Sequence, residues 1–279
     1  MKKSFIIFLS AGLIATGSLT SCSKEIGSLN GVSVEEISAN PNSAELNSLV
    51  TGSEAGMRTQ LGVYLDAVGV MGREIYRLSG AEPRYTSELL GKGQLQLSNS
   101  VFYLGNPWNA RYRVVKDCNI LIDAATRSTR VSDKEKKGYT GFGKTIKAYQ
   151  LLLNLNYTET NGIRVDVADP SKLGPFLTYE QSLTEISKLL DEGKTELAGG
   201  TIIFNLSSGF DNGVGDLVKF NRALAARVAA YRKDWNGVLT ALSESFYDIT
   251  GSFSTGYYHV FSTGTNDQTN PSYFPANNT

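Results

Sequence analysis

Phe102, Tyr103, Asn106, Trp108, Asn109 and Arg111 fall close together in the stretch VFYLGNPWNARY. A sugar ring has an apolar C–H face that packs on a flat aromatic ring, while its hydroxyls need hydrogen-bonding side chains around that platform. This is the best single stretch of the chain for such work, and the six named residues supply three rings, two amides and a guanidinium. The same rings have a structural role open to them. Tyr112 is read first as an anchor to the core, and for Trp108 the two roles stand level. Trp235, at a turn between two helices, is expected in the core.

Catalytic groups do not assemble in the same way. A serine hydrolase needs a strained G-x-S-x-G elbow and a histidine, but Ser208-Gly209 lacks that setting. The single histidine, His259 in GYYHVF, reads as a packed, hydrogen-bonded residue. Gly141 to Lys144, GFGK, lacks the phosphate-loop spacing. Asp166 and Asp169 near Asn161 depart from the EF-hand pattern and suit turns better than calcium. Glu180, Glu185, Asp191 and Glu192 fall where a solvated helix face is expected. The expectation is a protein that is not an enzyme, with no catalytic residue, no metal and no cofactor.

Composition narrows the partners. Lys plus Arg and Asp plus Glu each total 27 in 279 residues, a formal charge of zero. No basic cluster is interleaved with aromatics, so a nucleic-acid partner is not expected. Tyr 14, Phe 12 and Trp 2 make the chain rich in flat apolar faces. Its 2 cysteines, Cys22 and Cys118, give neither a disulfide framework nor zinc spacing. Cys118, in VVKDCNILIDA, is expected as a small buried helix residue.

The first 21 residues read as an export signal: Lys2 and Lys3, then the apolar run Phe5 to Ala15, too short to span a bilayer. It ends on Leu19-Thr20-Ser21-Cys22, which resembles a bacterial lipobox. That resemblance implies Cys22 as the first mature residue, carrying acyl chains on its sulfur and its amine. Each buried methylene adds about 0.8 kcal/mol, so several chains hold a domain at a membrane surface where one would not. Ser23-Lys24-Glu25 resembles the outward-export tag of surface lipoproteins of the Bacteroidetes type. Residues 22–42, closing on Asn40-Pro41-Asn42, read as a lipidated tether.

Residues 43–279 must position the candidate site, and their periodicity is helical. Two glycine-interrupted helices follow Ser43. Residues 77–108 read as an extended loop. A helix runs from Trp108, with Tyr112, Val115, Ile120 and Leu121 on one face. Ser132 with Glu135, and Thr178 with Gln181, have capping-box spacing and start two further helices. Residues 161–175 read as a loop, and Thr201 to Asn205 as a short strand. An alanine-rich helix bearing Leu224, Val228 and Tyr231 is followed by an Asp234 cap. A last helix then carries Val238, Leu239, Leu242 and Phe246. The fold class is mainly α, with tetratricopeptide-like helix pairs, long loops and few short strands.

Taken in order, the lipobox, MRTQLGVYLDAVGVMGREIY, WNARYRVVKDCNILIDA, GYTGFGKTIKAYQLLLNLNY, NGIRVDVADPSKLGP with LTEISKLLDEG, and KFNRALAARVAAYRKDW resemble the SusD/RagB family of outer-membrane nutrient-binding lipoproteins. The resemblance implies a helical scaffold whose loops build a ligand surface. It implies a lipid-anchored protein at the outer membrane, facing out. Such a protein passes oligosaccharides or peptides to a TonB-dependent, SusC-like transporter. Family members run longer, so residues 43–279 are expected to be the N-terminal portion of the family fold. The alternative function is a lipid-anchored helical-repeat scaffold that binds only protein.

Overall fold

The computed structural model describes residues 39–92, 95–207, 210, 212–264 and 267–271. The expected signal segment 1–21, Cys22 and residues 23–38 lie outside them. Among the described residues seven α-helices dominate: α1 (Ser43–Arg58), α2 (Leu61–Met71), α3 (Phe102–Arg127), α4 (Asp133–Thr158), α5 (Tyr179–Ala198), α6 (Val214–Tyr231) and α7 (Trp235–Ser243). Among the described residues the strands are β1 (Ile163–Arg164) and β2 (Phe176–Leu177), paired antiparallel with Ile163 opposite Leu177. The protein is mainly α-helical, as its periodicity indicates.

Local chemistry sets most helix starts. Ser132 accepts from the Glu135 amide while the Glu135 carboxylate accepts from the Ser132 amide, and Thr178 with Gln181 repeats the arrangement. Both boxes satisfy amides that have no partner inside the helix. Asn42 with Glu45 forms a third box at the start of α1. Asn42 therefore belongs to the folded body, and so do its neighbours. Pro41 accepts a 2.6 Å bond from the Ser128 hydroxyl, and Asn40 accepts one of 2.9 Å from the Thr129 amide. The last three residues of the stretch expected as tether are thus fixed, Asn40 and Pro41 to the α3–α4 turn and Asn42 to α1.

Neighbours in sequence pack as neighbours in space: α3 on α4, α4 on α5, α5 on α6 and α6 on α7, with α1 against α3. The 26-residue α4 is central. Tyr139, Phe142 and Ile146 meet Leu46, Val50, Val114, Cys118 and Leu121 in one core. Leu151, Leu152 and Leu155 meet Ile163, Leu183, Ile186, Leu190, Leu224 and Val228 in a second. Each such side chain, fully buried, contributes about 1.5–3 kcal/mol. Small residues let the backbones close up: a Cβ on Gly138 would stand 2.2 Å from the Thr201 carbonyl oxygen.

Four expectations are corrected. The stretch 77–108 is not an extended loop throughout. It holds a π-helical turn, Tyr85–Leu89, and α3 begins at Phe102. Pro107 thus lies inside α3, where it leaves the Tyr103 carbonyl without its i+4 amide. The Tyr157 hydroxyl donates to that oxygen at 3.3 Å and replaces the lost bond. Thr201 to Asn205 is irregular, because Phe204 turns inward against Tyr139 and Phe142 instead of pairing as a strand. The expected loop over 161–175 is opened by β1, whose pairing with β2 closes it into a hairpin. Finally, Trp235 and Leu239 are not core: they stand 65% and 68% exposed, since α7 meets α6 chiefly through the buried Ala241.

Candidate ligand-binding site

The six residues expected as a platform are dispersed by helix geometry. Once α3 starts at Phe102, each residue is turned about 100° from the one before it, more than half of the way to the opposite face of the helix. Phe102 packs edge-on to Tyr85 and Tyr103, with the Arg84 guanidinium 4.9 Å above its ring. Tyr103 is fully buried; its hydroxyl donates to Glu88 and accepts from the Ser98 amide at 3.1 Å. Asn106 and Asn109 are exposed. Trp108 is half-buried, edge-on to Tyr112 at 4.9 Å, and leans on the second core, so its ring serves as an anchor. Tyr112 is an anchor too: its hydroxyl donates to the Arg164 carbonyl at 2.8 Å.

Arg111 is the largest departure. It is 1% exposed and donates to the carbonyls of Met57, at 2.8 Å, and Thr59. These oxygens lie at the C-terminus of α1, where the helix dipole favours a cation. Burial holds the Arg111 pKa below its usual value. The bonds fix the break between α1 and α2, which falls at Gln60 with φ 58° rather than at one of the nearby glycines.

A different set of residues forms a cavity of about 230 Å³. Glu54 and Arg58 reach it from α1, Tyr149 from α4, and Phe220 and Arg227 from α6. Phe210 precedes α6, and the irregular chain after α7 folds back with Phe246, Tyr257, Tyr258 and His259. The rings order one another. Tyr257 stacks on Phe210 at 4.6 Å and meets Phe220 and Phe246 edge-on at 5.7 and 5.2 Å. The His259 ring lies against Tyr149, with Nε2 3.4 Å from the tyrosine hydroxyl.

The polar groups of the wall differ in what they have free. Glu54 accepts from Ser207 through both the amide, at 2.8 Å, and the hydroxyl. Arg58 pairs at 2.9 Å with Asp267, which lies outside the cavity lining. Arg227 makes no ion pair among the described residues. Burial, then the charges of Arg111 and Arg58, push the His259 pKa down to about 4, so its imidazole is neutral at ordinary pH. Burial and the nearby Asp216 carboxylate push the Tyr257 phenol up. The site thus offers flat faces, hydrogen-bond donors and one carboxylate in a partly enclosed space, which suits binding a ring.

None of the six expected platform residues is in the described lining of this cavity. The signal that could have found it is GYYHVF: three aromatics and the single histidine, set in a tail otherwise rich in Ser, Thr, Gly and Asn. His259 is packed and hydrogen-bonded, as expected, and is also part of the site. Asp169 serves a turn, accepting from the amide and hydroxyl of Ser171. Among the described residues no group of three or more His, Cys, Asp and Glu side chains converges, and no helix is long and apolar enough to cross a membrane. No family model, no curated protein and no solved structure matches the chain.

Proposed function

We propose that this protein is a lipid-anchored cell-surface protein that binds nutrient oligomers, oligosaccharides above all, and hands them to a TonB-dependent, SusC-like transporter in the outer membrane. The observation that carries the binding is the cavity of stacked and edge-on rings around Tyr257 and Tyr149, with Arg227, His259 and Glu54 as polar partners. Aromatic faces with a few fixed hydrogen-bonding groups are what a sugar ring requires. The lipobox at Cys22 and the resemblance to SusD/RagB proteins support the anchor and the transporter. Calorimetric titration of the purified chain with an oligosaccharide panel tests it. Saturable binding that Tyr257→Ala abolishes is expected; a panel that binds nowhere would end the reading.

A second reading, a helical scaffold that binds protein alone, draws on the exposed Tyr231, Trp235 and Leu239 around the α6–α7 turn. Co-purification with a barrel, and no binding from the panel, would select it.

A further inference from the structure

We infer that the aromatic cavity is built for a single acidic sugar ring, whose carboxylate sits against Arg58 and Arg227. The inference rests on the sugar-binding reading and narrows its ligand class.

Size comes first. At about 230 Å³ the cavity falls below the roughly 300–1,000 Å³ that holds a drug-sized ligand. A space of that size suits one ring of a sugar chain rather than several at once. Tyr257 stacked on Phe210 leaves no slot between them, so a ring would lie on the exposed face of an aromatic and not intercalate.

Charge comes next. Arg58 and Arg227 enter from α1 and α6, two separate elements. Arg111 adds a third positive charge close by; it and Arg58 are the charged groups that act on His259, and both are cations. The acids are accounted for. Glu54 is occupied at one oxygen by two Ser207 donors, and Asp267 holds Arg58 from outside the lining. Asp216 stands beside Tyr257, bonded to the Asn212 amide and side chain. Arg227 keeps its guanidinium unpaired among the described residues. A neutral sugar would leave that guanidinium without an ion-pair partner among the described residues, whereas a carboxylate would take a fork of parallel N–H bonds.

Two matched pairs test this on the purified full chain in detergent: digalacturonate against α-1,4-galactobiose, and glucuronate against glucose. Calorimetry should give the acid of a pair roughly tenfold tighter binding, the order expected of a charged hydrogen bond. The margin should shrink as salt is raised. Arg227→Gln should remove most of it, with a much smaller effect on the neutral sugar. Equal or tighter binding of the neutral members would overturn the acidic assignment and leave the sugar reading intact. So would failure of both pairs beside binding of a longer neutral oligosaccharide. If no sugar of any kind binds, both fall together.

Discussion

At the scale of single residues, Arg111 and His259 make separate contributions. Arg111 closes the α1 C-terminus, and its loss leaves two carbonyls without their donors. Arg111→Ala is expected to lower stability by about 1–3 kcal/mol for each buried group left unpaired, read from urea denaturation. Trp108, leaning on the second core, should behave as an anchor. Trp108→Ala should lower the melting temperature by several degrees, with a cost of about 3 kcal/mol, and leave oligosaccharide affinity unchanged. His259 makes a pH-dependent contribution. Its folded pKa, near 4, lies below the unfolded value of about 6.5. The unfolded chain therefore binds the proton first as pH falls. The stabilisation is fully present above about pH 6.5 and is lost progressively down to about pH 4. Denaturation of the wild type and of His259→Gln, measured across that window, should diverge in slope and agree above it; parallel curves would refute the burial of a neutral imidazole.

At the scale of elements, caps and close contacts make separate contributions. Ser132→Ala removes one half of a capping box in an exposed setting and should cost about 1 kcal/mol. Gly138→Ala should cost more, at the upper end of the 1–3 kcal/mol range for overpacking, since the new Cβ meets backbone that cannot swing aside. The α6–α7 pair gives an internal control. Leu239 is exposed, so Leu239→Ala should change stability by less than about 0.5 kcal/mol. Ile186, fully buried on α5, should cost about 2–5 kcal/mol on the same change. A large effect at Leu239 would mean that α7 is covered in solution.

For the whole molecule, the expectation is a helical body held at a membrane by its N-terminus. The far-UV circular dichroism spectrum should be dominated by helix, as the seven helices require. The anchor is tested at Cys22. Cys22→Ala should move the protein out of the membrane fraction and abolish labelling with a fatty-acid probe, because in the proposed reading lipid chains on Cys22 supply the membrane affinity. Retained labelling in the variant would remove the lipobox reading.

The caps at Ser132, Thr178 and Asp234 were legible because each depends on residues three positions apart. The burial of Cys118 was legible because a small apolar residue in a helical stretch is best satisfied in the core. The cavity was not legible. Glu54, Tyr149, Arg227 and His259 come from four distant parts of the chain, and no local spacing relates them. Periodicity marked an apolar face on α7 without saying whether a neighbour covers it, and the fold leaves Trp235 and Leu239 bare. The platform drawn from VFYLGNPWNARY failed for a related reason. Proximity in sequence becomes divergence in space once the stretch is helical, and α1 lay waiting to take Arg111. Local spacing thus determined that the fold is helical and where the capped helices start. The packing of α1, α4, α6 and the returning tail decided which rings face a common space, because only distant chain segments brought together can enclose one.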